Sequence, residues 1–223
     1  MVAETVQKLT SQLRDSTFSI SLIPIETLET RFQRLVLEMG RDMGKSISLK
    51  SDGLDTELDR TMIESLTDPL LHIIRNSIDH GIESPEERKR KGKPEEGTIH
   101  IKAFYSGANV VVQIQDDGAG VDPEKVFQKA VEKGLAGASE NLSDQEKLNL
   151  VFRSGFSTSN QVTEVSGRGV GMDVVMQNIS AIRGEVNVSS EKEKGTTISI
   201  TLPLVLSIIE NRLGQSRNQI IEY

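Results

Sequence analysis

Apolar side chains recur at helical spacing in some segments of the chain and alternate with polar ones in others. The three- and four-residue spacing predicts helices over 25–43 and 59–80, with Pro69 starting or kinking the second part of the latter. Alternation predicts five strands, the last four pairing as two hairpins: 46–51, 98–105, 109–116, 185–190 and 196–202. This order favours an α+β fold, a two-layer α/β sandwich in which helices cover one face of a mixed sheet.

The remaining helices are marked by their starting residues. Asp122, followed by proline, predicts an N-cap and a helix that runs through Lys133. Ser143 and Glu146 have the spacing of a capping box and predict a short helix. A further helix is expected directly after the glycine-rich stretch 166–171.

Composition excludes several functional classes. The formal net charge of −7 argues against a nucleic-acid binder, and the absence of cysteine excludes disulfides and thiolate metal sites. No apolar run approaches the roughly 20 residues of a membrane span, and the N-terminus lacks a signal-peptide core, so we expect a cytoplasmic protein. The basic cluster 88–93 is flanked by glutamates, which predicts a solvated turn and not a docking patch.

The stretch HIIRNSIDHG, residues 72–81, places polar side chains on one stripe of an otherwise apolar helix. His72, Asn76 and residues 79–80 follow each other at helical spacing, so this edge can face a cleft while the isoleucines pack. Asn76 offers a neutral oxygen, and the histidines can donate or accept near neutral pH. A half-exposed helix with incidental histidines fits the same pattern. A zinc site from His72, Asp79 and His80 is a weaker alternative because a second ligand cluster is missing.

Two other stretches point to a nucleotide. QDDGAG (115–120) follows a predicted strand, so Asp116 could accept a hydrogen bond from an exocyclic amine, although a tight turn explains the same residues. SGRGVGMDVV (166–175) leads three glycines into a helix start, where free N–H groups bind anions. The glycine spacing matches neither a dinucleotide-binding fingerprint nor a Walker loop.

Taken together, these stretches resemble the ATP-binding catalytic domain of CheA-type chemotaxis histidine kinases, within the superfamily of histidine kinases, gyrases and chaperone ATPases. The resemblance runs from about Pro24 to Leu206 and implies the Bergerat ATP-binding fold. The matching pieces are GLDTELDRT (53–61), DPLLHIIRNSIDHGIE (68–83), EERKRKGKP (86–94), DDGAG (116–120), GFSTS (155–159), VSGRGVGMDVV (165–175) and KGTT (194–197). Ser154 departs from the family, which usually has proline there.

The resemblance implies a role for each site residue. Asn76 would hold Mg²⁺ against the triphosphate of ATP, His72 would lie near the terminal phosphate, and Asp116 would read the adenine amine. The other residues implied to line the nucleotide site are Arg75, Asp79, His80, Gly118, Gly120, Lys125, Lys129, Gly167, Arg168, Gly169, Val170, Gly171, Met172, Thr196 and Thr197. The two lysines also fit a solvated helix face.

A mobile lid is implied over residues 122–168. Phe152 and Phe156 are candidates to pin this lid when nucleotide is bound, and simple core packing explains them equally well. Long functional loops with glycines often behave as lids.

The implied reaction is transfer of the ATP γ-phosphoryl group to a histidine on a separate phosphotransfer domain. The chain holds three histidines, of which two belong to the site motif and His100 lies in a predicted strand with a structural role. Residues 1–20 are expected to be a linker from a dimerisation helix, 21–206 the catalytic domain, and 207–223 a tail toward an adaptor-coupling domain. We therefore expect a monomeric fragment of a homodimeric kinase.

That kinase would work with response regulators and receptor or adaptor proteins, without binding nucleic acid or inserting into membrane. Two alternatives fit the same residues: a conformational ATPase of the same fold, and a nucleotide-sensing interaction module without transfer activity.

Overall fold

The computed structural model describes residues 22–156 and 171–204. Its strands are β1 (Leu22–Pro24), β2 (Ile47–Asp52), β3 (Glu57–Asp59), β4 (Gly97–Ser106), β5 (Asn109–Asp116), β6 (Glu185–Glu191) and β7 (Gly195–Pro203). Five strands form one sheet in the order β2-β4-β5-β7-β6, in which β2 and β4 are parallel and all other neighbours are antiparallel. The predicted mixed sheet and both predicted hairpins are confirmed.

Six α-helices accompany the sheet within the described ranges: α1 (Glu29–Asp42), α2 (Arg60–Asn76), α3 (Pro85–Arg90), α4 (Pro123–Glu132), α5 (Asp144–Asn149) and α6 (Met172–Ala181). Short 3-10 helices cover Ile25–Leu28 and Leu150–Phe152. Asp122 caps α4 by accepting from the Glu124 backbone N–H, and Ser143 and Glu146 form the predicted capping box at α5. Pro69 is buried inside α2 and does not start a helix.

The main core lies between the helices and one face of the sheet. Alternate residues of β4 and β5 are buried on this face, among them Ile101 and Val112, which are fully inaccessible. Helix α2 covers them with a buried apolar face that includes Leu66, Leu70 and Ile74. The expected two-layer α/β sandwich is therefore confirmed.

A second, smaller apolar cluster joins α4 to the segment after α5. Its buried members are Val126, Ala130 and Leu150, with partly buried neighbours that include Phe156. Phe152, in contrast, is buried in the main core. The described residues thus place the two candidate lid phenylalanines in different clusters.

Two features of the fold differ from the prediction. Strands β1 and β3 pair with each other as a separate two-stranded sheet that the pattern did not predict. The prediction of a solvated turn over 88–93 holds for the exposed turn at 91–92 but is wrong for Arg88, which lies inside α3 with a side chain that is 1% exposed. Among residues 22–156 and 171–204, no helix is long and apolar enough to cross a bilayer. The predicted linker 1–20 and tail 207–223 lie outside the described residues.

Candidate functional site

Asp116 is the last residue of β5, and its carboxylate is held by three donors. One oxygen, Oδ1, accepts from the backbone N–H groups of Gly118 at 3.0 Å and Thr196 at 3.2 Å. The other, Oδ2, accepts from the hydroxyl of Ser77 at 3.0 Å. Because the residue is only 3% exposed, these bonds fix the direction of a carboxylate that water scarcely reaches.

Burial raises the pKa of Asp116, and the neighbouring charge of Asp117 acts in the same direction. The hydrogen bonds from Gly118, Ser77 and Thr196 oppose this change because they favour the ionised form. Burial therefore disfavours the ionised form of this carboxylate, and one more hydrogen-bond donor would stabilise it.

Glycines let the backbone segments around Asp116 touch. A Cβ atom on Gly118 would lie 2.0 Å from the carbonyl oxygen of Gly81, and one on Gly195 would lie 1.9 Å from the carbonyl oxygen of Asp116. Gly120 has a φ of +70° and packs against the carbonyl of Glu191. Side chains at these positions would push β5, β7 and the end of α2 apart, so the glycines set the position of the carboxylate.

The end of α2 positions Ser77. After Asn76 the helix widens into a π turn over Ser77–Gly81, in which Ser77 is buried and faces the strand end. Lys45 supports this turn from outside, since its ammonium donates to the carbonyls of Ile78 at 2.6 Å, Asp79 at 3.1 Å and Ile82 at 2.8 Å. A cation at a helix C-terminus also interacts favourably with the helix dipole.

Sequence reasoning missed both Ser77 and Lys45. Ser77 directly follows the polar stripe residue Asn76, and a small hydroxyl between Asn76 and Ile78 was the signal available for it. Lys45 carries no comparable local signal, because its three acceptors lie more than thirty positions further along the chain.

Apart from Ser77, the polar residues of the stretch 72–80 form a half-exposed edge. His72 and Asn76 are partly buried, whereas Arg75, Asp79 and His80 are exposed. Asn76 donates from Nδ2 to the sulfur of Met172 at 3.0 Å, which joins α2 to the first residue of α6. Both implied catalytic residues therefore face the side on which α6 begins.

The surroundings of His72 favour its neutral form. Burial lowers its pKa, and the positive charge of Arg75 lowers it further, while Asp173 opposes both effects. Asp173 also accepts from the hydroxyl of Ser154 at 3.0 Å. The serine that departs from the family pattern thus links the predicted lid to the first turn of α6.

The predicted phosphate loop is described only at its end. Gly171 is the N-cap of α6 and Met172 its first residue. Gly167, Arg168, Gly169 and Val170 lie outside the described residues, so their implied role stays a prediction.

The remaining predicted residues lie at different distances from the carboxylate. Thr196 bonds to Asp116 through its backbone, and Thr197 pairs with Gln115 in the sheet. Lys125 and Lys129 lie on α4, where the Lys129 ammonium sits 5.3 Å from the centroid of the Phe156 ring. Structure thus joins Ser77, Asp116, Gly118 and Thr196 in one cradle and leaves the two lysines on the neighbouring helix.

The donor set fits a magnesium ion that a ligand brings with it. Among the described residues, the side-chain oxygen of Asn76 accepts no hydrogen bond and no three His, Asp or Glu side chains form a group able to hold a metal ion. The zinc alternative from His72, Asp79 and His80 therefore finds no support. Magnesium commonly takes one or two protein oxygens and fills its other positions with phosphate and water.

Residues 65–206 match the family model of histidine kinase-, DNA gyrase B- and HSP90-like ATPases. The chain belongs to this ATPase family. Within it, the chain is 42% identical over 219 residues to the chemotaxis protein CheA of Rhizobium meliloti, covering 98% of the chain and 29% of that protein. It is 44% identical to CheA of Bacillus subtilis, covering 93% and 32%, and 45% identical to CheA of Salmonella typhimurium, covering 92% and 30%. This ATPase chain thus spans about a third of the length of the curated relatives it matches.

Two solved structures show the same fold. The catalytic domain of the histidine kinase ThkA is 17% identical with a TM-score of 0.52, covering 82% of this chain and 95% of that one. Full-length ShkA in complex with AMPPNP is 20% identical with a TM-score of 0.52, covering 83% and 31%. The resemblance to CheA-type ATPase domains and the expected ATPase fold are therefore confirmed, whereas the role of each site residue stays a prediction.

Proposed function

We propose that this chain is the catalytic domain of a CheA-type chemotaxis histidine kinase, which binds Mg-ATP and transfers the γ-phosphoryl group to a histidine on a separate phosphotransfer domain. The observation that carries the proposal is the buried carboxylate of Asp116. Among the described residues, two groups donate hydrogen bonds to Oδ1 and one group, Ser77, donates to Oδ2. An exocyclic amine of adenine would supply the additional donor that Oδ2 can accept.

The polar stripe of α2 supports the phosphate end of the proposal. Asn76 would give its side-chain oxygen to Mg²⁺, and His72, one helical turn earlier, would face the terminal phosphate. A neutral imidazole can accept a proton or donate a hydrogen bond there, and burial keeps His72 neutral by lowering its pKa. Phosphoryl transfer depends mostly on positioning and charge neutralisation, which two fixed side chains on one rigid helix can provide.

The wider assignments belong to the same proposal. Lys125 and Lys129 would approach the phosphates when a lid over 122–168 closes, and the glycines 167–171 would cover the phosphates. Residues 21–206 would form the catalytic domain, between a linker at 1–20 and a tail at 207–223. In the whole kinase we expect a cytoplasmic homodimer that works with response regulators and with receptor and adaptor proteins.

Incubation with γ-labelled ATP, Mg²⁺ and a histidine phosphotransfer domain tests this function. We expect acid-labile label on the acceptor histidine, lost in Asn76→Ala and retained in the control Asn187→Ala, which changes an exposed strand residue. Free phosphate without acceptor label would instead identify a conformational ATPase. Nucleotide binding without either product would identify a sensing module, and unchanged transfer in Asn76→Ala would overturn the metal-ligand assignment.

A further inference from the structure

Arg88 is a buried arginine for which the proposed reaction gives no role. Its guanidinium donates to the carbonyls of Pro94 at 2.7 Å and Glu96 at 3.2 Å, and to the carboxylate of Glu83 at 3.3 Å. Burying a charged pair gains little net stability over apolar packing, because desolvation offsets the attraction. The arrangement therefore calls for an explanation other than stability.

The planar end of Arg88 holds Asp117, the residue directly after the site carboxylate. Nη1 lies 3.1 Å from Oδ1 of Asp117 and Nη2 lies 2.9 Å from Oδ2, and Nη1 also donates to the Asp117 carbonyl at 3.2 Å. The backbone N–H of Thr98 donates to the same Oδ1 at 2.9 Å. Paired bonds between a guanidinium and a carboxylate fix orientation as well as distance.

Lys93 extends this hold to the next peptide. Its ammonium donates to the carbonyls of Gly118 at 2.7 Å and Asp117 at 3.0 Å, and it contacts Glu83 at 3.0 Å. Burial alone would raise the pKa of Glu83, but hydrogen bonds from its own backbone and from Lys93 and Lys91 lower it. An ionised Glu83 thus contacts both Lys93 and Arg88, the two side chains that hold residues 117–118.

The held segment is the one that orients the site carboxylate. Gly118 donates its N–H to Oδ1 of Asp116, so any shift of the peptides at 117–118 would turn that carboxylate. We propose that Arg88, assisted by Lys93 and Glu83, is a positioning residue that sets the discrimination of this site for the exocyclic amine of adenine. The inference rests on the proposed function, because it takes Asp116 as the residue that reads the base.

Purine riboside triphosphate, which is ATP without the exocyclic amine, separates base reading from phosphate binding. We expect the unchanged chain to bind ATP about a hundredfold more tightly than this analogue, since an ionised acceptor would lose its partner. Arg88→Lys keeps the charge but cannot make the paired bonds. It should reduce this ratio to about tenfold or less, through weaker ATP binding, while affinity for the analogue stays the same.

Arg90→Lys is the matched control, because Arg90 lies on the same helix and is exposed. A merely structural role for Arg88 would weaken both nucleotides alike and leave the ratio unchanged. Asp117→Asn is the second variant, since it keeps the shape of the side chain and the acceptor for Thr98 while removing the charge that Arg88 holds. It should lower the ratio in the same direction as Arg88→Lys.

The outcomes distinguish this inference from the function on which it rests. If both variants fold, as judged by circular dichroism, and keep the normal ratio of ATP affinity to analogue affinity, the positioning role is overturned while the proposed function stands. If neither variant folds, Arg88 and Asp117 have a structural role and the positioning role is likewise overturned. A ratio near one in the unchanged chain overturns the base-reading role of Asp116, and the inference with it.

Discussion

Replacing Asp116 by asparagine (Asp116→Asn) removes the buried charge of the candidate site but leaves its shape almost unchanged. The side-chain oxygen can still accept from Gly118 and Thr196, and the new amide can donate to Ser77, whose hydroxyl becomes the acceptor. All three contacts of the cradle therefore survive in some form. We expect the variant to fold normally.

The sign of the stability change follows from the raised pKa of Asp116. The folded chain binds this proton more readily than the unfolded chain, so the associated stability is complete below the ordinary aspartate pKa of about 3.9 and is lost as pH rises through the raised value. In the pH range where the carboxylate is ionised, its burial thus opposes folding. The free energy of unfolding of Asp116→Asn should equal or exceed that of the unchanged chain.

Nucleotide binding should change in the opposite direction. A hydrogen bond to a charged group contributes about 1.5–3 kcal/mol, so losing the contact to adenine should weaken ATP binding by roughly tenfold to a hundredfold. The upper end is expected because the amide that faces Ser77 would also turn a donor toward the adenine amine. Isothermal titration with Mg-ATP and urea unfolding measure the two effects separately.

The matched control is Asp52→Asn, which also changes the last residue of a strand. Asp52 is exposed and lies 2.7 Å from His100 Nε2, within the strand pair β2–β4 and not at the site. ATP affinity within about twofold of the unchanged chain in Asp116→Asn would refute the base-reading role. Marked destabilisation at pH 7 would refute the reasoning about the buried charge.

Three further variants test the surroundings of the carboxylate. Ser77→Ala removes a donor to buried Asp116 and should lower the free energy of unfolding by about 1–3 kcal/mol in urea titrations; no change would mean that the hydroxyl does not support the charge. Lys45→Met leaves three carbonyls at the end of α2 without their cation and should accelerate amide hydrogen exchange in the following turn, whereas unaltered exchange would contradict this support. His72 has a lowered pKa because of burial and Arg75, so stability should fall as pH drops below about 6.5, where the unfolded chain takes up the proton first. Unfolding measured by fluorescence of a bound dye should show a flatter pH dependence in His72→Gln, and an identical slope would show that His72 is not the titrating group.

Local patterns were sufficient for most of the sheet. Each hairpin couples two alternating runs through a short turn, so neighbouring strands could be paired from adjacent sequence. Helix starts at Asp122 and Ser143 were also predictable, because a cap and its partner lie within three residues. Strands β1 and β3 were not, since three residues are too few to show a period.

Contacts across the fold could not be predicted from pattern. Arg88 was expected in a solvated turn because the sequence shows its charged neighbours, but its partner Asp117 is 29 positions away. Ser77 is likewise 39 positions from Asp116. The site carboxylate was identified by its place between a strand and glycines, whereas the groups that orient it became visible only once strands and helices were packed.

The separation of the two apolar clusters determines which part of the molecule can open locally. Among the described residues, none from α4 belongs to the main core, and the helix is attached largely through Val126 and Ala130 in the smaller cluster. Detaching so few apolar side chains costs on the order of 2–5 kcal/mol, far less than melting the sheet. A ligand that binds with a Kd of about 1 mM gains roughly 4 kcal/mol. Binding of such a ligand could therefore hold α4 in one position while the rest of the protein stays rigid.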